Sequence, residues 1–395
     1  MLHAAVLGFG TVGSGVAEVL AVNAAGIAQR LGQELDVKYI LCRSEHPESP
    51  FASKIIHDFS VIEADPEITL VAECIGGATV AYDYVKRALL AGKHVVTSNK
   101  ELVATRGYEL MRLAKERNLN FLFEAAVGGG IPVLRPLYFD LAGNEITQVA
   151  GIINGTTNFI LTKMLREGAS FADVLKTAQE LGYAEADPTA DVEGLDACRK
   201  VCILAALAFG HHVYPEMVPT EGITGITPED VAAASAAGMQ IKLLGRALRA
   251  EDGRLCCFVA PHFVAADCQL SGVHGVFNAV LIRGNAVNET MLYGPGAGKL
   301  PTASAVVGDL CDCAWHLAQR RPMDWQDAQP EQMADVRNVP LAYVIAAQAE
   351  QAQVEAAFGP AKPLPGSYWL LEQPVTRAAL EESSLNITAI RPVMR

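Results

Sequence analysis

Asp196 and Lys200 stand four residues apart at the end of a segment, Ala178 to Lys200, that carries six acidic side chains and an Asp-Pro turn. The segment then runs into the apolar stretch VCILAALAFG. Four-residue spacing puts two side chains on one helix face. That face continues through Ile203, Leu204 and Leu207, so the pair lines up with an apolar stripe. Charges at the mouth of a buried helix are costly unless they are paired or used. An exposed pair at this spacing would contribute only about 0.3–0.5 kcal/mol and would normally point away from such a stripe. The chemistry that suits the arrangement is proton transfer, with Lys200 as a positioned donor and Asp196 orienting it or a substrate hydroxyl. Glu185, in the loop Gly182-Tyr183-Ala184-Glu185, offers a carboxylate to a substrate ammonium. Asp187-Pro188 shapes a turn, and Asp191 can cap the buried helix.

Three further groups have chemistry in reach. Gly8-Phe9-Gly10-Thr11-Val12-Gly13 follows a short apolar run and fits GxGxxG, which allows a tight turn, close approach of a pyrophosphate and a helix N-terminus aimed at it. The next strand ends Leu41-Cys42-Arg43-Ser44, with no acid before Glu45 to hold ribose hydroxyls. Arg43 and Ser44 can instead receive a 2′-phosphate, which favours NADP, with NAD the other possibility. Lys100, in Ser98-Asn99-Lys100, follows the HVVT strand at the sheet edge where ligands of such folds bind. Glu124 and Gly128-Gly129-Gly130 supply one carboxylate and several carbonyls, an oxygen set that suits a hard monovalent cation. On spacing alone, a plain connecting turn is the simpler reading of that stretch.

Elements must position these residues. Apolar runs at His3 to Phe9, Asp36 to Cys42, Ile68 to Gly77, His94 to Asn99 and Leu119 to Val127 alternate with helical stretches, among them one from Thr11 to about Leu31. That pattern predicts a parallel sheet covered on both faces. After Gly130 the pattern becomes α+β: a strand over Ile146 to Asn154, helices over Thr156 to Glu167, Phe171 to Leu181 and Leu195 to Phe209, then strands over Gln240 to Arg249 and Leu255 to Ala260. A helix from about Thr302 to Ala318 can return to the first domain. The expected domains are 1–130 plus about 300–320, 131–299 and, after a polar Pro-containing linker, a short unit over 338–395. The chain has 395 residues, 51% of them hydrophobic, and a net charge of −13. That composition is globular and argues against nucleic acid or an anionic membrane as partner. Nine Cys without a CxxC pair suit buried, reduced thiols, and the longest apolar run is too short to span a bilayer, so a cytoplasmic protein is expected.

Together, GFGTVG, SNKELVA, EAAVGGGIPVLRPL, GIINGTTNFILTKM, the A-x3-G…DP-x2-D-x2-G-x-D-x3-K segment and GPGAGKLPTASAVVGDL resemble homoserine dehydrogenase, in the family's order and over roughly residues 2 to 320. The resemblance implies an N-terminal Rossmann-type NAD(P)-binding domain, an α+β catalytic and dimerisation domain, and interconversion of L-aspartate 4-semialdehyde and L-homoserine in threonine, methionine and isoleucine synthesis. It implies that Lys200 donates the proton and that Glu185, Asp191, Asp196 and Lys100 meet the substrate. Phe9, Thr11, Val12, Gly182 and Gly298 would contact the cofactor, with Lys100 close by. Glu124, Val127, Gly129 and Ile131 would bind sodium, which shifts the reading of that turn. A homodimer or homotetramer is implied. The tail departs from the family's longer members, whose ACT regulatory domain opens on a D-x-P-G junction absent here; a shortened ACT-like unit at a subunit contact is expected. The rival readings are another amino-acid semialdehyde or oxo-acid reductase and a nucleotide-sensing regulatory protein on the same fold.

Overall fold

A computed structural model describes residues 1–395, which fall into two compact units. The first comprises residues 1–142, 206–212 and 294–327, and the second residues 143–205, 213–293 and 328–395.

The first unit is a parallel sheet built from β1 (Leu2–Leu7), β2 (Leu35–Leu41), β3 (Ile55–Ile56), β4 (Ile68–Glu73), β5 (His94–Thr97) and β6 (Phe121–Leu122), in the order β3-β2-β1-β4-β5-β6. Its helices are α1 (Thr11–Val22), α2 (Ala24–Leu31), α3 (Phe59–Ala64), α4 (Ala78–Leu90), α5 (Lys100–Glu116) and α11 (Lys299–Trp315). β1 is buried from Ala4 to Leu7 because helices cover it on both faces, which is why its sequence does not alternate. Two short strands, β8 (His211–His212) and β13 (Gln326–Asp327), pair in parallel.

Two expectations for this unit need correction. The single helix from Thr11 to about Leu31 is two helices, bent by 74° at Asn23. The Asn23 N–H closes α1 on the Val19 carbonyl, and the Asn23 carbonyl opens α2 by accepting from Ile27. The strand expected over Leu119 to Val127 narrows to Phe121–Leu122, and the chain then turns through a 3₁₀ segment, Glu124–Ala126. The cause is that the Glu124 N–H donates to the Asp309 carboxylate (2.8 Å) instead of to a neighbouring strand.

The second unit is built on a nine-stranded mixed sheet in the order β12-β11-β7-β9-β10-β17-β14-β16-β15. The strands are β7 (Ile146–Ile152), β9 (Gln240–Arg249), β10 (Leu255–Val264), β11 (Phe277–Gly284), β12 (Asn288–Pro295), β14 (Tyr343–Ala347), β15 (Ala361–Leu364), β16 (Tyr368–Leu371) and β17 (Ile387–Met394). Helices α6 (Gly155–Glu167), α7 (Phe171–Glu180), α8 (Thr189–Val192), α10 (Pro228–Ala236) and α9 (Leu195–Phe209) up to Ala205 belong to its central part, and α12 (Gln351–Phe358) and α13 (Arg377–Glu381) to its tail. The tail joins the sheet through β17, which pairs in parallel with β10, and it shares a core with that strand: Tyr343, Ile345, Trp369 and Leu371 pack with Cys256 and Phe258. On β9, an added Cβ at Gly245 would lie 3.1 Å from the Cβ of Val201, so α9 lies close against the sheet there. β11, β12 and β15 were not expected from the sequence. All nine cysteines are free, and no single helix is long and apolar enough to cross a membrane.

Candidate active site

The end of β7 and the start of α9 meet in the second unit. Lys200 lies on the second turn of α9, one helical turn after Asp196, and both side chains are withdrawn from solvent. The Lys200 Nζ donates to Asp196 Oδ2 at 2.8 Å and to the Ile153 carbonyl, just past β7, at 2.7 Å. The surface-pair reading therefore fails, since the pair is buried and its ammonium is held by protein atoms. Asp191 joins the same group, because the Asn154 Nδ2 donates to Asp191 Oδ1 at 2.6 Å and to Asp196 Oδ2 at 2.9 Å. Asp191 stands in α8, a turn ahead of α9. The carbonyl that accepts the first α9 bond is that of Gly194, from Cys198 at 2.9 Å, and Gly194 adopts a φ of +80° between the two helices. The capping position expected of Asp191 thus belongs to Gly194, because α8 intervenes.

Glu185 is exposed on the loop between α7 and α8. That loop leaves α7 through Gly182 (φ +73°) and is tied to α6, where the Thr156 hydroxyl donates to the Tyr183 carbonyl at 2.6 Å. Asn154 is the residue that reading the sequence missed. Its helix-capping signal was available, since Asn precedes the GTTN start of a helix, and its side chain does accept from the Thr157 N–H. The two carboxylates on its other side come from residues 37 and 42 positions away, and no local signal announces them.

The first unit holds a cleft of about 680 Å³ over the β1–α1 turn, lined by Gly8, Phe9, Gly10, Arg43, Ser44 and Ile75 among others. The three glycines of the motif differ in task. Gly8 has a φ of +92°, and a Cβ there would meet the Cys74 carbonyl at 2.9 Å. A Cβ on Gly13 would lie 1.9 Å from the Gly8 carbonyl oxygen, so the helix can start there only without a side chain. A Cβ on Gly10 would meet nothing within 4 Å, which leaves that backbone open on its cleft side. Gly10 precedes Thr11 and Val12, whose first-turn amides have no side-chain cap from it. A tight turn with a bare helix N-terminus is a cradle for a phosphate.

Lys100 is the first residue of α5 and is half-buried. Asn99 fixes its position by capping α5 at Leu102 and donating to the Ile75 and Gly77 carbonyls. Beneath this turn lies Glu73, fully buried, its carboxylate accepting from the Thr97 hydroxyl and the Ile75 N–H, both at 2.5 Å. Burial without a cationic partner pushes its carboxyl up to about 7. Gly298 (φ +120°) opens α11 as its N-cap.

Glu124 is buried, and its carboxylate gathers the N–H groups of Val133, Leu134 and Arg135 at 2.5–2.9 Å. Val127, Gly129 and Ile131 lie on the turn that follows, where Gly129 has a φ of +55° and the Gly128 carbonyl accepts from Ile131. Around Glu124 stand two more buried carboxylates, Asp309 and Asp312. Arg135 approaches all three within 3.3–3.7 Å, and Arg321 pairs with Asp312 at 2.8 Å. Three buried carboxyl groups thus face two guanidinium groups, with the His316 ring 3.0 Å from Asp312. Burial is the main cause that pushes the Asp309 carboxyl up to about 8, with Glu124 and Asp312 adding to it against Arg135.

Comparison with known proteins bears on both units. The homoserine dehydrogenase NAD binding domain family matches residues 8–124, and the homoserine dehydrogenase family matches residues 132–311. The chain is 47% identical over 308 residues to a homoserine dehydrogenase of Pseudomonas aeruginosa, covering 78% of this chain and 71% of that protein. The chain belongs to the homoserine dehydrogenase family. A homoserine dehydrogenase of Bacillus subtilis is 44% identical, over 78% of this chain and 72% of the relative. The crystal structure of a homoserine dehydrogenase from Thiobacillus denitrificans aligns over 99% of this chain and 98% of its own, with a TM-score of 0.88 and 38% identity. A hyperthermophilic archaeal homoserine dehydrogenase in complex with NADPH aligns over 80% of this chain and 98% of its own, with a TM-score of 0.67 and 31% identity. Homoserine dehydrogenases reduce aspartate semialdehyde to homoserine with NAD(P)H. The chain is thus an oxidoreductase of amino-acid biosynthesis that uses a nicotinamide cofactor and a small-molecule substrate.

Proposed function

We propose that the group Asp191, Asn154, Asp196 and Lys200 is the centre at which this dehydrogenase moves its proton. The observation that carries the reading is the buried Lys200–Asp196 pair, with its ammonium held at 2.7–2.8 Å by a carboxylate and a carbonyl. When bound, the nicotinamide supplies the hydride. The Lys200 ammonium then stabilises the oxygen that gathers charge at the former aldehyde carbon and gives it a proton, leaving the homoserine hydroxyl. In the oxidative direction, the neutral amine takes that proton back. Asp196 favours the charged ammonium and sets its direction. Glu185 and Asp191 supply carboxylates for the α-ammonium of an amino-acid substrate. Lys100, at the start of α5, serves the substrate or nicotinamide side. Gly8 to Gly13, Gly182 and Gly298 serve the cofactor.

NADP is the preferred cofactor in this reading, with NAD a possible second. Arg43 and Ser44 on the cleft wall support it, as does the engagement of Glu45, which accepts from His57 at 2.9 Å. Sodium is the proposed cation at Glu124, Val127, Gly129 and Ile131, and the buried cluster of carboxyl groups from Glu124, Asp309 and Asp312 supports it. A homodimer or homotetramer is proposed through residues 131–299, with 338–395 as an ACT-like subunit contact. The exposed, stacked Phe277 and Tyr293 rings beside edge strand β12 support an interface there. Nine unpaired thiols support a reducing compartment such as the cytoplasm. The substrate assignment is tested by following nicotinamide absorbance with aspartate semialdehyde and NADPH. Turnover of that aldehyde in preference to other semialdehydes and oxo acids is expected; silence on it with activity on another carbonyl would overturn the reading.

A further inference from the structure

Asn154 does two things with one amide. Its Oδ1 accepts from the Thr157 N–H and from the Thr157 hydroxyl, both at 2.9 Å, which caps α6. This fixes which end of the amide is which, because a backbone N–H can only donate. The Nδ2 end must face the other way, where it finds Asp191 Oδ1 at 2.6 Å and Asp196 Oδ2 at 2.9 Å. Ionised carboxylates only accept, so the assignment is consistent at all four contacts. The residue is 6% exposed, and water has little access to compete for these bonds.

We propose that Asn154 is a positioning residue for the reaction, bridging the Asp191 and Asp196 carboxylates so that Asp196 Oδ2 aims the Lys200 ammonium. The inference rests on the reading of Lys200 as proton donor. Two carboxylates brought together by α8 and α9 repel, and one ammonium cannot be paired symmetrically with both. The amide donates to each without adding charge, which holds both in place. Asp196 Oδ2 takes the Asn154 amide and the Lys200 ammonium at 2.9 and 2.8 Å, while the Ile153 carbonyl holds that ammonium from the next residue along. The Ile153 carbonyl and the Asn154 side chain, adjacent in the chain, therefore anchor the two partners of the pair.

The simpler role is a helix cap alone, and substitution chemistry separates the two. Asp and Ser cap helices about as well as Asn. An aspartate in place of Asn154 could not donate to the two carboxylates and would add a third negative charge; a serine hydroxyl is too short to bridge them. Asn154→Asp should lower kcat ~100-fold or more and Asn154→Ser ~10-fold, the range that separates a mispositioned from a well-aligned proton donor. Both variants should hold NADPH within about twofold of the parent affinity. Losing two donors to carboxylates favours their protonated forms, so the acidic limb of kcat/KM should move to higher pH in Asn154→Ser. The charged groups that the amide meets are Asp191 from α8 and Asp196 from α9, and Asp196 in turn holds Lys200. A wild-type kcat and pH profile in Asn154→Asp would overturn the proposal and leave a cap. Lys200→Ala run alongside keeps the two claims apart. If it is crippled while Asn154→Asp is normal, only the positioning role fails; if Lys200→Ala itself turns over normally, the reading of the site fails with it.

Discussion

A buried lysine keeps its charge only where protein atoms replace the water it has lost. Lys200 has that replacement from Asp196 and the Ile153 carbonyl. The pair was legible in the sequence because four-residue spacing and the apolar stripe through Ile203, Leu204 and Leu207 are both local facts. Asn154 was not, since its worth lies in carboxylates that only the fold brings to it. Arg43 poses the opposite case. Its side chain is exposed on the cleft wall, so only a ligand gives it a task. A guanidinium distinguishes the two cofactors only at a 2′-phosphate. Titration of Arg43→Ala should show NADPH binding weakened ~10-fold or more, about 1.4 kcal/mol, with NADH little changed. Equal losses for both cofactors would remove Arg43 from the choice between them.

Elements were legible where their pattern is self-contained. The parallel strands β1, β4 and β5 are short apolar runs with helices between them, and covering both faces leaves no other reading. β12 escaped because Asn288-Glu289 at its start reads as a turn, and β11 is a short apolar run whose pairing partner β7 lies far back in the chain. β15 escaped because Pro363 argues against a central strand, and it does lie at the sheet edge, where a missing N–H is tolerated. The break at Asn23 has only a weak local signal. The turn between β1 and α1 makes a sharper claim. A methyl group on Gly13 would sit 1.9 Å from the Gly8 carbonyl oxygen, so backbone must move. Gly13→Ala should therefore lower stability by about 2–4 kcal/mol and abolish measurable cofactor binding, read by thermal unfolding with and without NADPH. A variant that melts and binds like the parent would show that the turn has slack.

At the scale of the molecule, each of the two units keeps ionisable groups out of water, Asp196 and Lys200 in the second and Glu73, Glu124 and Asp309 in the first. The carboxylate cluster around Glu124 gives this a pH signature. Asp309 is raised in the folded protein from an ordinary 3.8 to about 8. Its contribution to stability is therefore fully present below the unfolded value and is lost as pH rises through 8. A sodium ion at the proposed site would offset that loss. Sodium should then raise the melting temperature more at pH 8 than at pH 5, relative to choline at equal ionic strength, and Asp309→Asn should reduce the difference. An equal sodium effect at both pH values would remove the cation from this cluster. The central claim, however, rests on one side chain. With aspartate semialdehyde and NADPH both saturating, Lys200→Ala is expected to lower kcat ~100-fold or more while leaving the NADPH dissociation constant as it was; a kcat close to that of the parent enzyme would contradict the account.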